Sequence, residues 1–141
     1  MSQRDETTES THQRVLVTGA SSGIGAAVAR RIAVRGQANI FLVARRSDKL
    51  QELALELESE HVQVQVIAAD LTTESGIELV TSTAPEVDVL INNAGFGGFG
   101  QFSDTKHDDA AQMIALNCQA PIKLTRHYLP GMQTRGKGCI V

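Results

Sequence analysis

The sequence predicts an α/β fold built on a doubly wound parallel sheet, and three observations carry that expectation. From Arg14 onward, short β-branched apolar runs alternate with longer stretches of helical periodicity. The first run, Val15-Leu16-Val17-Thr18, is suited to burial on both faces, as a central parallel strand is. It passes directly into a glycine-rich turn, Gly19 to Gly25, which opens a helical pattern.

The elements follow in order. Gly23 to Arg35 reads as a helix, with Ile24, Val28 and Ile32 repeating on one face and Gly36 as its C-terminal stop. Asn39 to Ala44 is the second strand, and Ser47 is the expected N-cap of a helix carrying Leu50, Leu53, Ala54 and Leu57. Val62 to Ala69 is the third strand, ending at Asp70, and a weaker helix runs from about Thr73 to Thr83. Val87 to Ile91 makes a fourth strand that closes on Asn92-Asn93-Ala94-Gly95, and Phe96 to Ser103 is glycine-rich loop. A long helical pattern runs from Asp104 to about Gln133, and Cys139-Ile140-Val141 has the composition of a fifth strand that has only begun. Right-handed crossovers give strand order 3-2-1-4, with the fifth strand beside the fourth. Residues 1–13 are polar apart from Met1 and are expected to form a disordered tail. Residues 14–141 are expected to form one domain, incomplete after about four βα units and a fifth-strand stub.

Composition narrows the partners. Thirteen basic against 16 acidic residues leave a net charge of −3, and the basic residues are scattered along the chain. That argues against nucleic acid and anionic membranes and favours a small molecule. The two cysteines, Cys118 and Cys139, show no ligand spacing, and no apolar run suits a bilayer span or a signal sequence. A reducing, cytoplasmic setting is expected. His12, His61, His107 and His127 lack ligand spacing, so no metal site is expected.

The strongest chemical signal is Thr18-Gly19-Ala20-Ser21-Ser22-Gly23-Ile24-Gly25 between a buried strand and a helix start. In a Rossmann-type sheet, Gly19 permits the tight turn, Gly23 lets backbone approach a pyrophosphate, and Gly25 lets helix and strand pack closely. The free N–H groups of Ser21, Ser22, Ile24 and their neighbours then face the phosphates. The end of the second strand reads Ala44-Arg45-Arg46, where a carboxylate for a ribose 2′-hydroxyl is absent. A guanidinium there complements a 2′-phosphate, so NADP is expected over NAD, with Arg45 the better placed; the competing reading is a pair of solvated loop charges.

The G-x-x-x-G-x-G spacing, with the later Asn92-Asn93-Ala94-Gly95, resembles the short-chain dehydrogenase/reductase family over Arg14 to Val141. The resemblance implies hydride transfer between NADP(H) and a carbonyl or alcohol substrate. It implies that Asp70-Leu71 binds the adenine end, although Asp70 also reads as a helix cap. It implies that Asn92 and its neighbour stabilise the sheet and cofactor pocket while Ala94 and Gly95 admit the nicotinamide-side ribose. The Phe96-to-Gly100 loop reads either as a floor for the substrate pocket or as a flexible connection.

The resemblance also makes Asn117 catalytic, acting partly through its main-chain carbonyl. Pro121 lacks the N–H that would occupy that carbonyl in an α-helix. The competing reading is a polar residue beside a helix kink. The family's serine and its tyrosine–lysine pair are missing. Tyr128, the only tyrosine, has Met132 four residues on and reads as a packing residue. The chain is therefore expected to be an N-terminal portion, inactive alone, of an enzyme that pairs with its own copies when complete. The alternatives are a non-catalytic nucleotide-binding module or an unstable fragment. The extended nucleotide-sugar epimerases fit less well, because they prefer G-x-x-G-x-x-G.

Overall fold

The computed structural model describes residues 12–141. Its sheet has five parallel strands: β1 (Gln13–Thr18), β2 (Ala38–Ala44), β3 (Val62–Ala68), β4 (Val89–Ile91) and β5 (Cys139–Ile140). Their order is β3-β2-β1-β4-β5, as the right-handed crossovers require. The expectation of a disordered tail lies outside the described residues up to Thr11. Gln13 is already in β1, one residue before the expected start, and donates its N–H to Gln37 O at 3.0 Å.

Alternation along the strands builds two cores. Leu16 and Leu90 face a layer made by α3 (Glu74–Thr83) and α5 (Ala120–Arg135), where Val80, Leu124 and Tyr128 are buried. Val15, Val17 and Leu42 face the opposite layer, made by α1 (Gly23–Arg35) and α2 (Ser47–Leu57). All four apolar residues expected on α2 are buried. Helices on both sides of a parallel sheet are the doubly wound arrangement.

Tyr128 proves to be a core residue, as its sequence context suggests. It is 2% exposed, its hydroxyl donates to Ala84 O at 2.8 Å, and burial pushes its phenol well above the usual range.

Several boundaries differ from the sequence reading, each for a local reason. On α1 the fully buried residues are Gly25, Ala26 and Ala29; of the expected stripe, Ile32 packs against the core and Val28 is half-buried, while Ile24 is 75% exposed. Small residues let the helix axis approach the sheet, and this pushes the larger side chain outward. Ser47 is the first residue of α2 and caps nothing; Arg46 precedes it without a side-chain cap. Thr73 caps α3, accepting the Gly76 N–H at 3.1 Å, so the capping role considered for Asp70 belongs to Thr73.

The long helix expected from Asp104 is broken. A 3-10 turn spans Phe102–Asp104, α4 covers His107–Ile114, and Ala115–Gln119 is a π-helical turn leading into α5. There the Ala120 N–H reaches five residues back to Ala115 O. The wider turn precedes Pro121, which has no N–H to offer Asn117.

At the N-terminal edge of the sheet, Arg14 ties β1 to β4. Its backbone N–H, Nε and Nη2 donate to the Asp88 carboxylate at 2.9, 3.1 and 2.9 Å. Arg135 adds α5 by donating from Nη2 to Val87 O at 2.9 Å. The Arg14 guanidinium holds the Asp88 carboxyl below its ordinary value of 3.8. The bond therefore contributes stability above that ordinary value and loses it as pH falls through the lower folded value. Asp88→Ala is expected to cost about 2 kcal/mol at pH 7, since bonds to charged groups are worth ~1.5–3 kcal/mol. Urea melts of the two proteins at pH 7 and pH 3 check this: their difference should narrow at pH 3, and a constant difference would assign the effect to lost packing.

Candidate functional site

A cleft of about 440 Å³ opens at the C-terminal ends of the strands. It lies where the chain's progression across the sheet reverses, between β1 and β4, the position at which open α/β sheets take ligands. Its walls come from four strand ends.

The first wall is the turn between β1 and α1. Gly19 has φ 67°, and a Cβ there would lie 2.8 Å from Ala94 Cα, so only glycine fits both the dihedral and the space. Gly23 has φ 57° but nothing within 4 Å of its Cβ position, which leaves open space beside the backbone. Gly25 lies behind the turn, where a Cβ would lie 2.5 Å from Asn93 Nδ2 and would also strike the Gly19 carbonyl. The first turn of α1 carries no acidic residue, and Ser22 makes no side-chain cap bond. Its unsatisfied N–H groups and the positive end of the helix dipole form a site for an anion.

The second wall carries charge. Arg45 and Arg46, both exposed, follow β2, and Arg46 Nη2 donates to Ser21 Oγ at 3.2 Å. The sequence ranks Arg45 ahead of Arg46, whereas the side chain that reaches the glycine turn belongs to Arg46. Arg45 acts instead on Asp70. The Thr72 N–H, at 3.0 Å from Asp70 Oδ1, holds the Asp70 carboxyl below its ordinary value, with the Thr72 hydroxyl at 2.7 Å and the Arg45 charge adding to the effect.

The third wall joins β1 to β4 through Thr18 and through Asn93, for which the family resemblance implied a sheet-stabilising role. Thr18, buried at 2% exposure, accepts the N–H groups of Asn93 at 3.0 Å and Ala94 at 2.9 Å through Oγ1. Asn93 Nδ2 donates back to Thr18 O at 3.0 Å and Gly19 O at 3.3 Å. Thr18 reads in sequence as one more β-branched strand residue, and its hydroxyl beside a glycine turn is the available signal. Thr18→Val keeps the shape but leaves two N–H groups without an acceptor, so a loss of ~2–3 kcal/mol is expected. Thr18→Ser should retain most of the stability, as denaturant midpoints will show; equal losses for the two variants would remove the hydroxyl from the account.

Not every expected site residue lines the cleft. Gly19, Ser21, Ser22, Ile24, Arg45 and Asp70 do, as do Leu71, Ala94 and Gly95. Asn92 does not: it donates its N–H to Val141 O at 2.8 Å, and its Oδ1 is buried without a partner among the described residues. Asn117 also stands back from the cleft, clamping Phe96. Its Oδ1 accepts the Phe96 N–H at 3.0 Å and its Nδ2 donates to Phe96 O at 2.8 Å. Gly95 makes room for this clamp, since a Cβ there would lie 3.1 Å from Asn117 Oδ1.

These features fit a dinucleotide phosphate: a positive helix end without competing carboxylates, open space over Gly23, two guanidinium groups and a small-residue floor at Ala94-Gly95. The comparisons agree with that shape. The profile of the short chain dehydrogenase family matches residues 13–141. The NADP-dependent 3-hydroxy acid dehydrogenase of Schizosaccharomyces pombe is 38% identical over 133 residues, spanning 90% of this chain and 51% of that protein. The bulky-bulky ketone specific alcohol dehydrogenase from Comamonas testosteroni superposes with a TM-score of 0.86 at 37% identity, covering 92% of this chain and 53% of its own. A short-chain dehydrogenase from Sphingobium yanoikuyae in complex with NADPH gives a TM-score of 0.84 at 38% identity, covering 91% and 51%. The chain spans about half the length of these proteins. No helix among the described residues is long and apolar enough to cross a membrane.

Proposed function

The chain belongs to the short-chain dehydrogenase family, and from that premise we propose that it is the cofactor-binding front portion of an NADP-dependent oxidoreductase acting on a carbonyl or alcohol substrate. The observation that carries the NADP preference is the pair Arg45 and Arg46 at the end of β2, where no carboxylate stands to accept a ribose 2′-hydroxyl. The NADPH complex of one structural neighbour and the NADP-dependent activity of one relative support it.

Bound in the cleft, the nicotinamide cofactor supplies a hydride donor or acceptor. The residues of this chain then have distinct tasks. The N–H groups from Ser21 to Gly25 hold the pyrophosphate, and the two arginines hold the 2′-phosphate. Asp70, whose Oδ1 is engaged by Thr72, offers its other carboxylate oxygen to the adenine amino group. Ala94 and Gly95 leave room for the second ribose. Asn117 fixes the loop after β4 with its side chain, and its main-chain carbonyl, without an α-helical donor at Pro121, is available to hold a water for proton transfer.

A tyrosine with a lysine four residues on does not occur in these 141 residues, since Tyr128 is followed at that distance by Met132. The proposal extends to a reducing, cytoplasmic setting, supported by two unpaired, exposed cysteines, and to self-association of the whole enzyme. Following NADPH oxidation with a panel of ketones tests the reading. The whole protein that carries these residues should consume NADPH, while a polypeptide of these residues should raise NADPH fluorescence without turnover. Turnover by the short polypeptide, or neither binding nor turnover by the whole protein, contradicts it.

A further inference from the structure

We propose that the outer face of α1 and α2 docks a second copy of this chain, paired about a two-fold axis so that α1 of each copy lies on α2 of the other. The two helices form one layer over the sheet, joined by Arg30, which donates to the Glu56 carboxylate at 2.7 and 2.8 Å. Both connect neighbouring parallel strands by right-handed crossovers, so they run in the same direction. Their exposed faces differ in sign. α1 carries Arg30, Arg31 and Arg35 with no acidic residue, whereas α2 carries Asp48, Glu52 and Glu56 against a single lysine. Arg31 and Arg35 are exposed and enter no ion pair among the described residues.

Opposite charge on adjacent helices makes the layer self-complementary. A two-fold axis in the contact plane and parallel to the helices sets the basic α1 of one copy over the acidic α2 of the other, twice over. An axis across the helices would set like charges together. Each helix also leaves one large apolar side chain in solvent in its last turn, Val34 and Leu55, both 77% exposed. The parallel axis brings the C-terminal ends of the helices together, so Val34 of each copy leaves water beside Leu55 of the other. The glycine turn and Arg45-Arg46 lie at the opposite ends of these helices, and the pairing therefore leaves the cleft open.

Charge reversal tests the pairing in the whole protein, read by sedimentation and native mass spectrometry at low ionic strength. Arg31→Glu with Arg35→Glu makes both helices acidic, and Glu52→Lys with Glu56→Lys makes both basic. Either variant alone should self-associate at least about tenfold more weakly than the unaltered protein. Mixed in equal amounts, the two should recover the lost association as a heterodimer, because each basic helix then meets an acidic one. The unaltered protein supplies a readout that needs no variant: its association should weaken as salt screens these exposed charges. The same assembly in the unaltered protein and both variants would give the α1 face to some other acidic partner and overturn the pairing. So would a mixture that associates no better than its components while circular dichroism shows both folded, or an association of the unaltered protein that salt does not weaken.

Discussion

Replacing Arg45 and Arg46 together with alanine is expected to lower the preference for NADPH over NADH by about a hundredfold, with little change in NADH affinity. Each guanidinium facing a phosphate makes charge-assisted hydrogen bonds worth ~1.5–3 kcal/mol when shielded, and both side chains here are exposed. Taking the lower end for each gives ~3 kcal/mol, about two powers of ten. NADH lacks the 2′-phosphate and loses nothing that the arginines supplied. The single variants divide the effect: Arg46→Ala also breaks the bond to Ser21 Oγ, while Arg45→Ala removes the charge that helps keep Asp70 ionised. Dissociation constants for both cofactors, measured by the quenching or gain of nicotinamide fluorescence, check the ratio. An unchanged ratio in the double variant would return the arginines to the status of solvated loop charges.

Gly25→Ala is expected to destabilise the protein by ~3 kcal/mol and to abolish tight cofactor binding, although the substitution adds one methyl group to a helix that would otherwise welcome it. The position meets Asn93 Nδ2 at 2.5 Å and also the Gly19 carbonyl, which is backbone and cannot swing away. Relief requires α1 to lift from the sheet, and lifting it displaces the N–H groups that face the phosphates. The Asn93 bonds to Thr18 O and Gly19 O would break with it. Gly23→Ala makes an informative contrast, because its Cβ position is open and the cost there is only the strain of φ 57°. Denaturant midpoints and NADPH titrations of the two variants should therefore separate: Gly25→Ala loses stability and binding together, whereas Gly23→Ala loses less stability. Equal stability losses would show that the close approach at Gly25 is not what fixes the turn.

Much of the architecture was legible because parallel sheets in this class write their pattern plainly. Runs such as Val15 to Thr18 are apolar on both faces, and the first, third and fourth strands lead into a glycine, an aspartate and an asparagine at the ligand edge. The strand order, the turn at Gly19 to Gly25 and the buried face of α2 follow from periodicity and handedness. What was hidden depends on distance and not on spacing. Ile24 looks like the first residue of a buried stripe, but small residues one and two positions on bring α1 so close that it is pushed into the cleft. Asn93 outranks Asn92 because strand alternation turns the second asparagine toward Thr18, a choice of face that the Asn-Asn pair does not announce. The π-helical turn at Ala115–Gln119 could be anticipated only in part from Pro121. The clamp from Asn117 to Phe96 joins residues 21 apart and has no local signature.

The most direct test of the central claim is a side-by-side calorimetric titration of the whole protein carrying these residues with NADP+ and NAD+ at low ionic strength. Saturable binding of NADP+ at least tenfold tighter than NAD+, weakening as salt is added, is the result expected of a helix N-terminus and two exposed arginines holding phosphate. Equal affinity for the two dinucleotides would contradict the role given to Arg45 and Arg46, and no binding of either would contradict the assignment of the cleft itself.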